Sequence, residues 1–137
     1  MKYMPVTNKV IILDAGHGGI DSGTLNDDKT ILEKDINLAI THKIKELLES
    51  SGAHVILTRE DDSSLYVEDG KKTTRQKYNE NLKNRKVIIE ESNADMFISI
   101  HMNALAGEGA SKYYGAQTFY PEGKEDSIKL SKYIQQE

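Results

Sequence analysis

Val10-Ile11-Ile12-Leu13-Asp14-Ala15-Gly16-His17-Gly18-Gly19-Ile20-Asp21-Ser22-Gly23 decides how the rest of the chain is read. Its apolar, β-branched half stops at Asp14 and passes into a loop that carries one histidine between glycines. An apolar run bounded this way reads as a strand buried on both faces, as in the middle of a parallel sheet. Gly16, Gly18 and Gly19 permit a sharp turn and a close approach by a ligand. In open α/β sheets ligands collect at the carboxyl ends of strands, which is where His17 falls. Taken alone, the loop also fits a plain strand-to-helix turn with an exposed histidine. A phosphate cradle fits less well, because neither G-x-x-x-x-G-K-[ST] nor the spacing of G-x-G-x-x-G is present.

Working outward, Thr24 to Lys29 is polar, and a helix follows with Ile36, Ile40, Ile44, Leu47 and Leu48 on one stripe. Ser50-Ser51-Gly52 closes it. Ala53-His54-Val55-Ile56-Leu57-Thr58 reads as a second strand, with His54 and the earlier His42 as surface residues. Residues 59–74 are polar and contain the turn signal Asp69-Gly70. A second helix spans 75–92, with Tyr78, Leu82, Arg85 and Ile89 sharing a face. An arginine on such a stripe usually snorkels outward, and an inward role is the minority reading. Met96-Phe97-Ile98-Ser99-Ile100 predicts a third buried strand ending at His101-Met102-Asn103-Ala104. Residues 113–120 alternate well enough for a fourth strand, stopped by Pro121 and Gly123. A last helix starts near Glu125 and carries the sequence to Glu137. Strands alternating with helices predict an α/β fold, a mainly parallel sheet with helices on both faces. A chain ending inside a helix after an unfinished βα unit is expected to be truncated at its C-terminus.

At 137 residues, with 37% apolar and 29% charged residues, the chain is one globular domain. A net charge of −4 argues against nucleic acid as the main partner. No apolar run approaches the ~20 residues needed to span a bilayer, and the first residues lack the apolar core of a signal peptide. Cysteine is absent, which excludes disulfides and thiolate metal sites and leaves His, Asp and Glu as ligands.

His17 and His101 each follow a predicted strand, and Glu33 opens the helix after the first one. In a parallel sheet all three emerge at one edge. Two histidines and a carboxylate form a known catalytic zinc set with a fourth position left for water. Zinc lowers the pKa of that water to ~7 and polarises carbonyls, which suits hydrolysis of an amide or ester. Plainer readings stand beside this one. Thr30-Ile31-Leu32-Glu33 fits a capping box that would occupy the carboxylate locally, and His101 fits a core histidine bonded to a backbone carbonyl.

Val10 to Gly23, Leu32 to Leu38, Val55 to Arg59, Leu82 to Arg85, Ala94-Asp95, Phe97 to Ala104 and Gly115 to Tyr120 occur in that order. Together they resemble the zinc-dependent N-acetylmuramoyl-L-alanine amidases of the amidase-3 family. The similarity covers nearly the whole chain, so residues 1–137 are expected to be an incomplete amidase-3-like catalytic domain. Asp61 to Arg85 looks most like the sporulation members, which help make muramic-δ-lactam in spore cortex. The resemblance implies that His17, Glu33 and His101 hold Zn2+, with Asn103, Arg85 and Arg59 in supporting roles. It implies cleavage of the amide between N-acetylmuramic acid and L-alanine in peptidoglycan. The substrate is then a glycan strand with its stem peptide, and an activating lipoprotein is a further implied partner.

The family acts outside the cytoplasm, here the cell wall or the space between forespore and mother-cell membranes, so an export signal is expected outside this sequence. The family's general acid and base is a glutamate on a later strand, expected beyond Glu137. These residues alone are therefore expected to bind metal at most, and release of L-alanine-linked peptides by them would contradict that. A non-catalytic wall-binding or partner-binding domain of the same fold is the alternative, separated from the enzyme by zinc content. A nucleotide-binding domain using the glycine loop would show phosphate affinity independent of chelators.

Overall fold

The computed structural model describes residues 5–103 and 115–136. The chain forms two compact units, Met1–Asn103 and Ala104–Glu137. In the first, β1 (Val10–Ala15), β2 (His54–Leu57) and β3 (Met96–Ile100) form a parallel sheet in the order β2-β1-β3. Val10 pairs with His54 on one side, and Ile11 with Met96 on the other. The central strand is the apolar run quoted above, buried from Ile11 to Ala15. Because its neighbours on either side are reached by separate crossovers, the sheet has a switch point between β1 and β3. A crevice opens there, outside the carboxyl ends.

The two crossovers are α1 (Glu33–Ser50) and α2 (Thr74–Glu91). Ile11 and Leu13 pack with Val55, Ile98 and the α1 residues Ile44 and Leu48. Burying a side chain such as Leu13 stabilises the fold by about 1.5–3 kcal/mol. Asp14, one residue on, points to the opposite face and meets Arg85 of α2. Helices therefore cover both faces, as predicted. Leu47 does not join the α1 stripe and is 68% exposed.

Three further expectations are corrected. The helix α1 does not start with a Thr30 capping box. Its N-cap is Leu32, which makes no side-chain cap bond. The loop folds back so that the Thr24 and Ser22 carbonyls accept from Glu33 and Lys34 N–H, while Thr30 is tied to Asp28. The helix start is satisfied by backbone, and the Glu33 carboxylate is not spent on a capping box. A capping box does open α2, between Thr73 and Gln76. Arg85 does not snorkel: it is 6% exposed and ion-paired.

In the second unit, described over 115–136, the structure consists of α3 (Glu125–Gln136) and the segment before it. Residues 115–120 are not a strand. Gln135 of α3 occupies the groups a neighbouring strand would pair, donating to Ala116 O at 2.8 Å and accepting from Thr118 N–H at 3.0 Å. Residues 113 and 114 of that predicted strand, and Ala104, lie outside the described residues.

Candidate metal centre

His17 leaves β1 in the left-handed region, with φ 64°. A non-glycine residue there stores strain, and such residues cluster at functional sites. Its backbone is fixed by arginines from either side. Arg85 donates to the His17 carbonyl and to Ala15 O, while buried Arg59 donates to Ala15 O, Gly16 O and Lys34 O. Its imidazole is fixed by Asp21, whose Oδ2 lies 2.9 Å from Nδ1. Asp21 is itself held, since its Oδ1 accepts from Gly23 N–H. A carboxylate at Nδ1 favours the proton on that nitrogen and leaves a lone pair on Nε2.

That lone pair faces Glu33 Oε1 at 3.1 Å. His101, arriving from the end of β3, places Nδ1 3.2 Å from the same oxygen and 3.2 Å from His17 Nε2. The two rings meet edge to face with centroids 4.8 Å apart. His17, Glu33 and His101 thus converge from β1, α1 and β3 at the switch point. Two glycines make room for them. A Cβ on Gly16 would stand 2.3 Å from the His101 ring, and one on Gly23 would stand 2.7 Å from His17 Cδ2 and 2.8 Å from Glu33 Oε2.

Glu33 is the buried member, 3% exposed. Burial pushes its carboxyl up, but Thr24 N–H and hydroxyl, Met102 N–H and the nearby His17 outweigh it and hold the pKa at about 2. It is an anion throughout the neutral range.

The donor set itself tests whether a cation fits. Two imidazole nitrogens and one carboxylate oxygen lie within 3.1–3.2 Å of one another. A tetrahedral zinc with ligands at about 2.0–2.1 Å puts them about 3.3 Å apart. Protons alone serve such a triangle poorly, because one N–H satisfies only one of the facing acceptors. The residues fit zinc.

Arg85 acts at one remove, on the His17 carbonyl, and Arg59 on the preceding carbonyls of Ala15 and Gly16. Asn103 is exposed and makes no hydrogen bond among the described residues. His42 faces Glu60 O at 3.0 Å, and His54 is exposed, so neither enters the site. Sequence reasoning assigned no role to Asp21, Thr24 or Asn37, whose Nδ2 reaches Gly16 O at 3.3 Å. The spacing of Asp21, four residues after His17 across a glycine turn, is the signal that was available. It also left unread the buried group around Asp14, which accepts from Arg85, Thr58 Oγ1 and Ser99 Oγ.

The profile of the family described as Amidase_3, N-acetylmuramoyl-L-alanine amidase, matches residues 11–137. The chain is 40% identical over 134 residues to the germination-specific N-acetylmuramoyl-L-alanine amidase of Bacillus subtilis, covering 98% of this chain and 54% of that protein. Among solved structures it superposes on the CwlD amidase of Clostridioides difficile in complex with the GerS lipoprotein, with TM-score 0.89 and 72% identity. That match covers 94% of this chain and 64% of the other. An N-acetylmuramoyl-L-alanine amidase from Clostridium difficile matches with TM-score 0.68 and 27% identity, covering 95% of this chain and 62% of the other. The chain spans about half the length of the Bacillus relative.

Proposed function

Since the chain belongs to the N-acetylmuramoyl-L-alanine amidase family, we propose that it is the metal-binding part of a zinc-dependent amidase. The bond cleaved joins the lactyl group of N-acetylmuramic acid to L-alanine in peptidoglycan. The likeness to a germination-specific amidase and to CwlD supports a place in spore-cortex formation, outside the cytoplasm. The GerS complex of that CwlD supports a lipoprotein partner here as well.

One observation carries the reading: His17, Glu33 and His101 each offer one possible ligand atom, and these gather at the switch point of the sheet. When bound there, zinc supplies Lewis-acid polarisation of the amide carbonyl and activates water near neutral pH. The chain's own residues do the rest. Glu33 arrives already ionised, so no proton has to be displaced from it. Asp21 orients His17 and keeps the proton on Nδ1, and such outer partners are worth about 10–100-fold in metal affinity. Arg85 and Arg59 hold the carbonyls of the loop that carries His17, with Arg85 in a supporting role. Asn103 follows His101 closely enough in sequence to support the substrate side.

Among the described residues the nearest carboxylates are engaged, Asp14 with Arg85 and Asp21 with His17. The proton shuttle is assigned to the glutamate that the family carries on a later strand. A general acid–base contributes about 10²–10⁴ in rate.

Full-length protein should release stem peptides with free L-alanine amino ends from peptidoglycan, and chelation should stop it. Wall binding without zinc and without peptide release would instead support a non-catalytic domain of the same fold.

A further inference from the structure

The helix α2 carries Tyr78, Leu82 and Arg85 on one face. Arg85 is pinned at Asp14, close to the carboxyl end of β1. A helix linking two parallel strands runs against them, so the N-terminal turns of α2 continue past that end. At 1.5 Å per residue, Leu82 lies about 4.5 Å and Tyr78 about 10.5 Å further along the axis. Both apolar side chains therefore leave the sheet and hang beside the metal cluster. Neither is covered by the described residues: Leu82 is 65% and Tyr78 38% exposed.

A pocket of about 230 Å³ lies between these side chains and the cluster, lined by His17 and His101 and by Tyr78, Asn81 and Leu82. Sites that enclose a whole drug-sized ligand run to about 300–1,000 Å³, so this one takes only part of a glycopeptide. Arg85 also borders it, but its guanidinium is committed to Asp14 and to the Ala15 and His17 carbonyls. Among the described residues the lining thus offers no free Lys or Arg to the carboxylates of a stem peptide. It offers aliphatic and aromatic surface within reach of the candidate metal ligands.

The scissile amide has a methyl on each side, one from the lactyl group and one from L-alanine. We propose that this pocket is a methyl-recognition subsite, with Leu82 and Tyr78 as the wall that seats the L-alanine side chain. The assignment rests on the amidase reading. It makes α2 a determinant of specificity at the residue after the cleaved bond, in addition to its structural anchor at Arg85.

The test compares binding of N-acetylmuramoyl-L-alanine and N-acetylmuramoyl-glycine to zinc-loaded full-length protein, with zinc content measured for every variant. One methyl in an apolar site discriminates by about 10–200-fold, so the wild type should prefer the L-alanine compound by about 10-fold or more. Leu82→Ala should bring that preference toward unity and Tyr78→Ala should reduce it, both with full zinc. Leu47→Ala, an equally exposed leucine on α1, should leave it unchanged. A preference that survives in both α2 variants, or one absent from the wild type, overturns the subsite while leaving the amidase reading in place. Protein that holds no zinc overturns both.

Discussion

Asp14 and His17 lie close together at the end of β1, yet their surroundings differ in kind. Around Asp14 every acceptor meets a donor: Arg85, the Thr58 hydroxyl and the Ser99 hydroxyl. Around His17, three potential ligand atoms, His17 Nε2, Glu33 Oε1 and His101 Nδ1, crowd together within 3.1–3.2 Å of one another. The first group is closed and serves the fold. The second sets two imidazole nitrogens around one carboxylate oxygen, a donor set that could hold a metal ion. The difference shows how to tell a structural polar cluster from a candidate ligand site by counting protons against lone pairs.

The largest expected effect comes from breaking the closed group. Arg85→Met strands a buried carboxylate and should cost about 3–5 kcal/mol in urea unfolding. If it costs less than 1 kcal/mol, the group is not the anchor described. Zinc acts on the open group next. At a free concentration 100 times its dissociation constant, it should stabilise the wild type by about 2.7 kcal/mol. That gain should vanish in His17→Ala, while the metal-free variant stays as stable as the metal-free wild type. A large loss of metal-free stability would show that the cluster is structural after all.

Acid separates the two groups again. Burial pushes the Asp14 carboxyl up, but Arg85, Thr58 and Ser99 prevail and hold it below its ordinary value of 3.8. A carboxyl with a depressed folded pKa stabilises above its unfolded value and loses that contribution as pH falls through the folded one. Stability should therefore decline below about pH 4, and the decline should be shallower in Asp14→Asn. The smallest effect expected is at Gly23, where φ is 66° and a Cβ would touch both His17 and Glu33. Gly23→Ala should cost about 1–2 kcal/mol from backbone strain and weaken zinc binding along with it.

Much of this was legible in the sequence because a parallel sheet obeys few rules. Once 10–15 and 96–100 read as parallel strands, His17 and His101 had to emerge at one edge with the start of the next helix. Residues 96–100, expected to be buried, nevertheless lie at the end of the order β2-β1-β3, with Phe97 44% exposed. What stayed hidden depended on partners remote in sequence. Arg85 on an apolar stripe looks the same whether it snorkels or meets Asp14, and only the fold brings the two together. The Thr30 capping box was a correct motif in the wrong place, since loop carbonyls from Ser22 and Thr24 reached the helix start first. Residues 115–120 alternate like a strand, but Gln135 takes the backbone groups that a ladder would use.

Zinc content after purification and dialysis, measured side by side on wild type, His17→Ala, Glu33→Gln, His101→Ala and Arg85→Met, tests the open cluster most directly. One equivalent in the wild type, none in the first three variants, and retention in whatever fraction of Arg85→Met stays folded is the predicted result. Equal zinc in the wild type and in all three ligand variants, or none in the wild type under excess metal, would contradict it.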